Sequence, residues 1–240
     1  MSILICGVDV ETTGLDTEKD EIIELAAVIW DVERKVPVMM QSELIKIDKP
    51  VSPEISAITG IISDDLQDYG RSWGQVADTF LSMATACNYI MAHNGLGFDK
   101  PILASNLARL GRELPLRVWI DTMIDVPFTS EMKARKLGHV AAEHGFLNPF
   151  PHRALFDVLT MLRVASFYDI NALTTSAKSP LVTVQALCRK PWEDGGASTD
   201  EAKKNGYRWD GVNKRWIKQL RQAAYAGQAS TEAYKTVIIG

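Results

Sequence analysis

The 240-residue chain has only three cysteines, and Cys6, Cys87 and Cys188 lie too far apart for the close spacing of a thiolate metal site. With no export signal, they read as free buried thiols in a reducing cytosol. No apolar run approaches the roughly 20 residues that a membrane span needs. The opening segment, Met1-Ser2-Ile3-Leu4-Ile5-Cys6-Gly7, lacks a basic region and runs straight into an acid, which fits a strand and not a signal peptide. Internal repeats and low-complexity runs are absent too. These absences leave the expectation of a cytoplasmic globular protein with no membrane partner. The 46% hydrophobic and 23% charged content agrees, and the length suits one large domain or a medium domain with a small one. The net charge of −4 conceals a split: residues 178–240 hold 11 Lys+Arg against 6 Asp+Glu, and the remainder holds 15 against 24. A basic tail suits a polyanion, although charge alone fits a small domain with a solvated basic face equally well.

Hydrophobic spacing sets out the elements. Ile3 to Asp9 reads as a buried strand entering a turn at Thr12-Thr13-Gly14. Ile22 to Val32 and Pro37 to Ile47 read as two further strands, joined by links too short for a crossover helix, so antiparallel pairing is expected. Ser52 and Pro53 mark a helix start as N-cap and first residue. Trp73 to Cys87 has helical spacing and Tyr89 to Ala92 is a short strand. Asp99 to Leu110 follows as a helix closed by Gly111. Arg117 to Asp121 is another strand, and Leu137 to His144 and Arg153 to Phe167 are helices. The order βββαβαβαα predicts an α/β fold, a mixed five-stranded sheet flanked by helices. A Thr/Ser-rich stretch at 173–180 reads as a linker between a domain at 1–172 and a small basic α+β module at 181–240. In that module Leu181 to Leu187 alternates like a strand and Thr199 to Asn205 is a short helix. Tyr207-Arg208-Trp209 and Arg215-Trp216-Ile217 read as a hairpin across Asp210-Gly211. Its aromatics next to Lys/Arg could stack on bases or bind phosphate, but Trp209 and Trp216 are expected in its core, since Trp is well buried on average.

Three segments concentrate acids: Asp9-Val10-Glu11-Thr12-Thr13-Gly14, His93-Asn94-Gly95-Leu96-Gly97-Phe98-Asp99, and His152-Arg153-Ala154-Leu155-Phe156-Asp157. Carboxylates in apolar surroundings are rarely buried unless paired or holding a metal. Asp9 and Glu11 sit two apart at a strand end, hence on one face. They can share a hard cation such as Mg2+ or Mn2+, or serve as turn acids bonded to Thr12 and Thr13. Asp99 opens a helix, where the dipole alone would favour it. His93-Asn94 at the carboxyl end of a strand points towards a ligand. Asp157 borders the apolar stripe of its helix and needs a partner. His152 lies five residues earlier, about 140° around a helix, so it cannot share that face. Pro149 and Pro151 place it in the preceding loop, able to swing towards a site anchored by Asp157. His139 and His144 have no acid at useful spacing and read as structural. Four converging carboxylates cannot all stay ionised without cations. Two divalent ions about 4 Å apart would offset them and serve in-line attack on a phosphodiester, with a histidine taking the proton of the attacking water.

Together these segments resemble the three motifs of the DnaQ-like 3′→5′ exonuclease family, DEDDh subgroup. The motifs match Asp9 and Glu11, then Asp99, then His152 and Asp157, over about residues 1–168. Ile22-Ile23-Glu24-Leu25-Ala26, the segment from Ser52-Pro53 to Gly60-Ile61, and Asp121-Thr122 match as well. The tyrosine subgroup would need Tyr where Arg153 stands. The resemblance implies an RNase H-like fold, two Mg2+ or Mn2+ ions, and release of nucleoside 5′-monophosphates. It implies that Asp9, Glu11 and Asp157 hold the ion that activates water, that Asp9 with Asp99 holds the ion at the leaving oxygen, and that His152 is the general base. It further implies contacts to the terminal nucleotide from Thr12, Thr13, Gly14 and Leu15, and a strand path lined by Asn94 and Phe98. The expected partner is a nucleic-acid 3′ end, DNA before RNA, single-stranded or frayed. Thr59 departs from the histidine that many relatives carry there, which puts that base contact in doubt. The tail from Ala202 to Lys218 is similar to a small module found after such exonuclease domains. One competing reading, a nucleic-acid-binding module that no longer cuts, is opposed by the complete set of acids and histidine; another, a proofreading-type accessory subunit of a polymerase, is disfavoured because no polymerase-binding element is recognisable. The oligomeric state is left open, a homodimer included.

Overall fold

Strands β1 (Leu4–Thr12), β2 (Ile22–Asp31) and β3 (Val36–Leu44) pair in sequence as an antiparallel ribbon in the computed structural model, which describes residues 2–128, 132, 134–225 and 233–240. All of β2 is buried, as its run of apolar residues anticipates, because it has a strand on each edge and a helix on each face. Helix α1 (Pro53–Thr59) starts where expected, with the Ser52 hydroxyl accepting the Ile55 N–H at 3.3 Å. Helices α2 (Ser63–Asp68) and α3 (Trp73–Ala86) lead to β4 (Tyr89–Ala92), then α4 (Asp99–Ala108) leads to β5 (Val118–Asp121). Strands β4 and β5 run parallel to β1, and the sheet order is β3-β2-β1-β4-β5. The expected mixed five-stranded sheet is therefore present. In its three parallel strands Gly7, Met91 and Ile120 lie level, so Asp9, His93 and Asp121 lie close to level at their carboxyl ends.

Alternation along β1 splits the sheet into two working faces. Cys6, Val8 and Val10 point into the main core with Val76, Phe80 and Met83 of α3. Gly7, Asp9 and Glu11 point the other way, towards α7 (Ala154–Ala165), which follows α5 (Thr122–Asp125) and α6 (Leu137–Glu143). Thr59 turns inward: its hydroxyl donates to the Ile55 carbonyl at 3.0 Å and accepts the Ile61 N–H at 3.1 Å.

The chain divides into two units, residues 1–174 and 175–240. The stretch 173–180, read as a linker, is instead largely helix, because α8 (Ile170–Lys178) places Leu173, Thr174 and Ala177 on a buried stripe that local Thr/Ser content does not reveal. The second unit contains β6 (Leu181–Leu187), α9 (Pro191–Asp194), α10 (Ala197–Lys204), β7 (Arg208–Asp210), β8 (Arg215–Arg221), α11 (Gln222–Tyr225) and β9 (Lys235–Ile238). Its sheet has the order β7-β8-β6-β9. Val184, Ala186, Ala202, Tyr207, Leu220 and Tyr234 form its core, against which Trp216 packs. Trp209 departs from the expectation: it is 52% exposed, because the short edge strand β7 holds it at the rim. Among the described residues no helix is long and apolar enough to cross a membrane.

Candidate active site

The site begins with a missing side chain. A Cβ on Gly7 would lie 2.8 Å from Leu162 Cδ1 and 2.9 Å from Val158 Cγ1, so only glycine lets α7 rest directly on β1. That close approach carries Asp157, in the first turn of α7, to the face that holds Asp9 and Glu11. Glu11, His152 and Asp157 each offer a ligand atom, and these atoms lie within 4.8 Å of one another. Asp157 Oδ1 accepts the Asn148 side-chain amide at 2.6 Å, and Oδ2 accepts the His152 backbone N–H at 2.9 Å. His152 has φ 62°, a left-handed conformation that non-glycine residues adopt at a cost, and its bond to Asp157 holds it there. Its ring is exposed, as expected for a loop residue ahead of α7.

Arg153 and Glu24 fix that helix in place. Glu24, opposite Glu11 in the β1–β2 register, is 2% exposed. Its carboxylate accepts Arg153 Nη2 at 2.9 Å, Arg153 Nε at 3.2 Å and the Ala154 backbone N–H at 3.0 Å. The pair ties the N-terminus of α7 to the strand beside the acids. Reading single residues for chemistry misses Glu24 as a site component. The available signal was an acid inside the apolar run Ile22-Ile23-Glu24-Leu25-Ala26.

Asp99 is buried at the start of α4. The turn before it is held by Asp121, whose carboxylate accepts the N–H groups of Asn94 and Leu96, both at 3.0 Å. His93 does not face a ligand. Its Nε2 donates to the Arg135 carbonyl at 2.8 Å, so Nδ1 accepts the Thr122 hydroxyl at 2.7 Å. Burial lowers its pKa and keeps the ring neutral.

The carboxylates sense one another. Burial pushes Asp9 well above the usual carboxylate range, and the charges of Asp99, Glu11, Asp157 and Glu24 push the same way. Glu11 is raised to about 8, first by burial and then by Asp157, Glu24 and Asp99, with Arg153 opposing. Asp99 is raised to about 7, by burial and by Asp121, against backbone N–H groups that include that of Val10. Asp157 is raised by burial, while the N–H and charge of His152 and the amide of Asn148 hold it down. Left to itself the protein cannot keep all four ionised. Crowded, partly protonated oxygen donors beside an imidazole fit a hard divalent cation such as Mg2+ or Mn2+.

The turn after β1 is pre-formed. Thr12 Oγ1 donates to the Gly14 carbonyl at 2.6 Å, and Thr13 Oγ1 donates to Asp20 at 2.8 Å while accepting the Glu21 N–H at 3.0 Å. A Cβ on Gly14 would sit 2.5 Å from Asp20 Oδ2, which explains the glycine. At the end of α4, Asn106 donates to the Asp20 carbonyl at 3.2 Å and the C-cap Arg109 through Nη2 to the Glu18 carbonyl at 2.6 Å, clamping this turn. Leu15 is 84% exposed beside it. Asn94 is exposed with φ 65°, and Phe98 packs half-buried on the main core.

Residues 6–165 match the model of an exonuclease family, RNase_T. The chain is 34% identical over 157 residues to a PolC-type DNA polymerase III of Thermotoga petrophila, covering 65% of this chain and 11% of the polymerase. It is 37% identical over 108 residues to the DNA polymerase III epsilon subunit of Treponema pallidum, covering 45% of this chain and 47% of the subunit. The chain thus spans about a tenth of the PolC-type polymerases and about half of the epsilon subunit. The fold matches E. coli exonuclease I, crystallised in complex with a dA16 oligonucleotide, with a TM-score of 0.61 and 16% identity over 76% of this chain and 48% of that one.

Proposed function

The chain belongs to the DnaQ-like 3′→5′ exonuclease family, and from that premise we propose that it hydrolyses terminal phosphodiester bonds at the 3′ end of a nucleic-acid strand, releasing nucleoside 5′-monophosphates. The reading rests above all on Glu11, His152 and Asp157 converging within 4.8 Å, with the charges of Asp9 and Asp99 acting on the same point. Asp9, Glu11, Asp99 and Asp157 would hold two divalent cations, Mg2+ or Mn2+. When bound, these supply positive charge to the phosphate and to the attacking water.

The protein's own groups do the rest. His152 takes the water's proton on its ring, and Glu11 and Asp157 stabilise the imidazolium that results. The bond from the His152 N–H to Asp157 keeps the base beside the acids through each turnover. Thr12, Thr13 and Gly14 present a rigid turn to the terminal nucleotide, and Leu15 offers its base an apolar surface. Asn94 and Phe98 line the way in. Thr59, with its hydroxyl committed inside α1, makes no base contact. DNA is the favoured substrate, supported by the DNA polymerase III relatives and by the likeness to exonuclease I in complex with dA16. The test is a panel of DNA and RNA oligonucleotides, labelled at either end, single- or double-stranded, with Mg2+, Mn2+ or EDTA. Loss of a 3′ label with either metal and none with EDTA is expected. Intact 3′-labelled strands under both metals would sink the reading.

A further inference from the structure

The second unit carries a groove of about 760 Å³, within the roughly 300–1,000 Å³ range of ligand pockets. Its floor is a cross-strand row. Trp209 pairs with Trp216 between β7 and β8, Trp216 pairs with Ala186 of β6, and the two indoles lie 5.5 Å apart. Its walls are cationic: Arg189 and Lys190 follow β6, Lys203 comes from α10, Lys214 from the β7–β8 turn and Arg215 from the start of β8. Among the described residues no carboxylate lines it.

Some of these cations are spoken for. Arg215 meets Asp210 at 3.3 Å, and Lys203 meets Asp200 at 3.0 Å while standing over the Trp216 ring. Among the described residues Arg189, Lys190 and Lys214 form no ion pair. Lys190 stands 5.2 Å from the centre of the Trp192 ring, which is 78% exposed. A half-exposed indole ringed by unpaired cations is poorly suited to an acidic peptide, which needs no flat apolar floor. It suits an alternation of flat apolar rings and anions.

We propose that this groove binds single-stranded nucleic acid, with a base stacked on Trp209 and the flanking phosphates held by Arg189, Lys190 and Lys214. The assignment rests on the nuclease reading only for the reason such a strand is at hand. Tethering a second binding site to the catalytic unit raises the local concentration of the strand after each cleavage.

The test uses the full chain in EDTA, with 5′-fluorescein dT20 followed by anisotropy over a series of salt concentrations. Arg189→Gln, Lys190→Ser and Lys214→Asn are combined. Serine suits the N-cap position before α9, and asparagine suits the left-handed conformation of Lys214, so the fold is retained and the urea midpoint verifies it. Three lost phosphate contacts lower the slope of log K against log salt by about 2. Affinity at low salt falls at least about tenfold. An unchanged slope and affinity overturn the proposal.

A 20-mer of abasic sites, matched in charge, isolates the stacking. It is expected to bind at least about fivefold more weakly than dT20, and equal binding overturns the role of Trp209. Trp209→Leu removes most of the tryptophan quenching that dT20 produces in the unsubstituted chain; retained quenching counts against the site. Cleavage of 3′-labelled strands with Mn2+ is scored separately, so a chain that binds without cutting fails the nuclease reading and leaves this one standing.

Discussion

Replacing Glu24 with alanine tests whether the acids work as a positioned set or merely as neighbours. The carboxylate holds the Arg153 guanidinium through two nitrogens and the buried Ala154 N–H through a third bond. Breaking a fully buried ion pair costs about 3–5 kcal/mol. The Arg153 side chain is 41% exposed, so water re-solvates it and that share shrinks to about 1 kcal/mol. The Ala154 N–H is left without its partner in the core, adding about 1–3 kcal/mol. Asp9, Glu11 and Asp157 lose a like charge, which offsets part of the loss. The net is about 2 kcal/mol of stability at pH 7, a fall in urea midpoint on the order of 0.7–1 M. Turnover should suffer more than stability, because the start of α7 carries Asp157 and His152 immediately precedes it. A displacement near 1 Å costs about 100-fold in kcat. Glu24→Gln, which keeps an acceptor, should fall between. Urea unfolding and single-turnover hydrolysis of a 3′-labelled strand measure both. If Glu24→Ala kept the midpoint within 0.2 M and turnover within about twofold, the pair would have no positioning role.

Other perturbations separate catalysis from folding. Asp9→Asn should abolish hydrolysis, and in EDTA at pH 8 it should melt no lower than the parent chain, since it removes a buried charge that its neighbours repel. A lower melting temperature there would contradict the crowding argument. His152→Ala should lower kcat by about 10²–10⁴ while the urea midpoint stays put. Without metal, stability should depend on pH in a definite direction. Glu11 and Asp99 are raised in the folded state, to about 8 and about 7, so the folded protein holds protons that the unfolded chain has released. That stabilisation is fully present below pH 3.8, begins to be lost through Asp99 above that pH and through Glu11 above 4.5, and is gone as pH rises past about 8. The melting temperature in EDTA should therefore fall by about 5 °C or more between pH 5 and pH 8, and Mn2+ should raise it more at pH 8 than at pH 5. A flat profile in EDTA would refute it. Gly7→Ala should lose about 1–3 kcal/mol and most activity together, because the new methyl pushes α7 off β1.

Much of this was legible without coordinates. Alternation placed Asp9 and Glu11 on one face, and the prolines kept His152 off the helix that begins after it. The rule for short links paired the first three strands. Two misreadings have local causes. The Thr and Ser content of 173–180 hid the helix α8, whose Leu173, Thr174 and Ala177 are buried. Trp209 looked like core because tryptophan usually is, whereas its place on a three-residue edge strand leaves half of it in water.

Sequence by itself determined the donor types, their order and the period that groups them, because periodicity is a local property of backbone geometry. Only the tertiary structure decided which donors meet and which polar residues are spent on architecture. His93 and Asp121 are written in the same vocabulary as His152 and Asp99, yet His93 bonds to Thr122 and the Arg135 carbonyl, and Asp121 holds the turn that presents Asp99 and presses on it by its charge. The push of Asp157 on Glu11, and the anchor that Glu24 provides for α7, each join residues more than a hundred positions apart. Burial and charge act through space, so their sum at the carboxyl edge of β1 exists only once Gly7 has let the helix close on it.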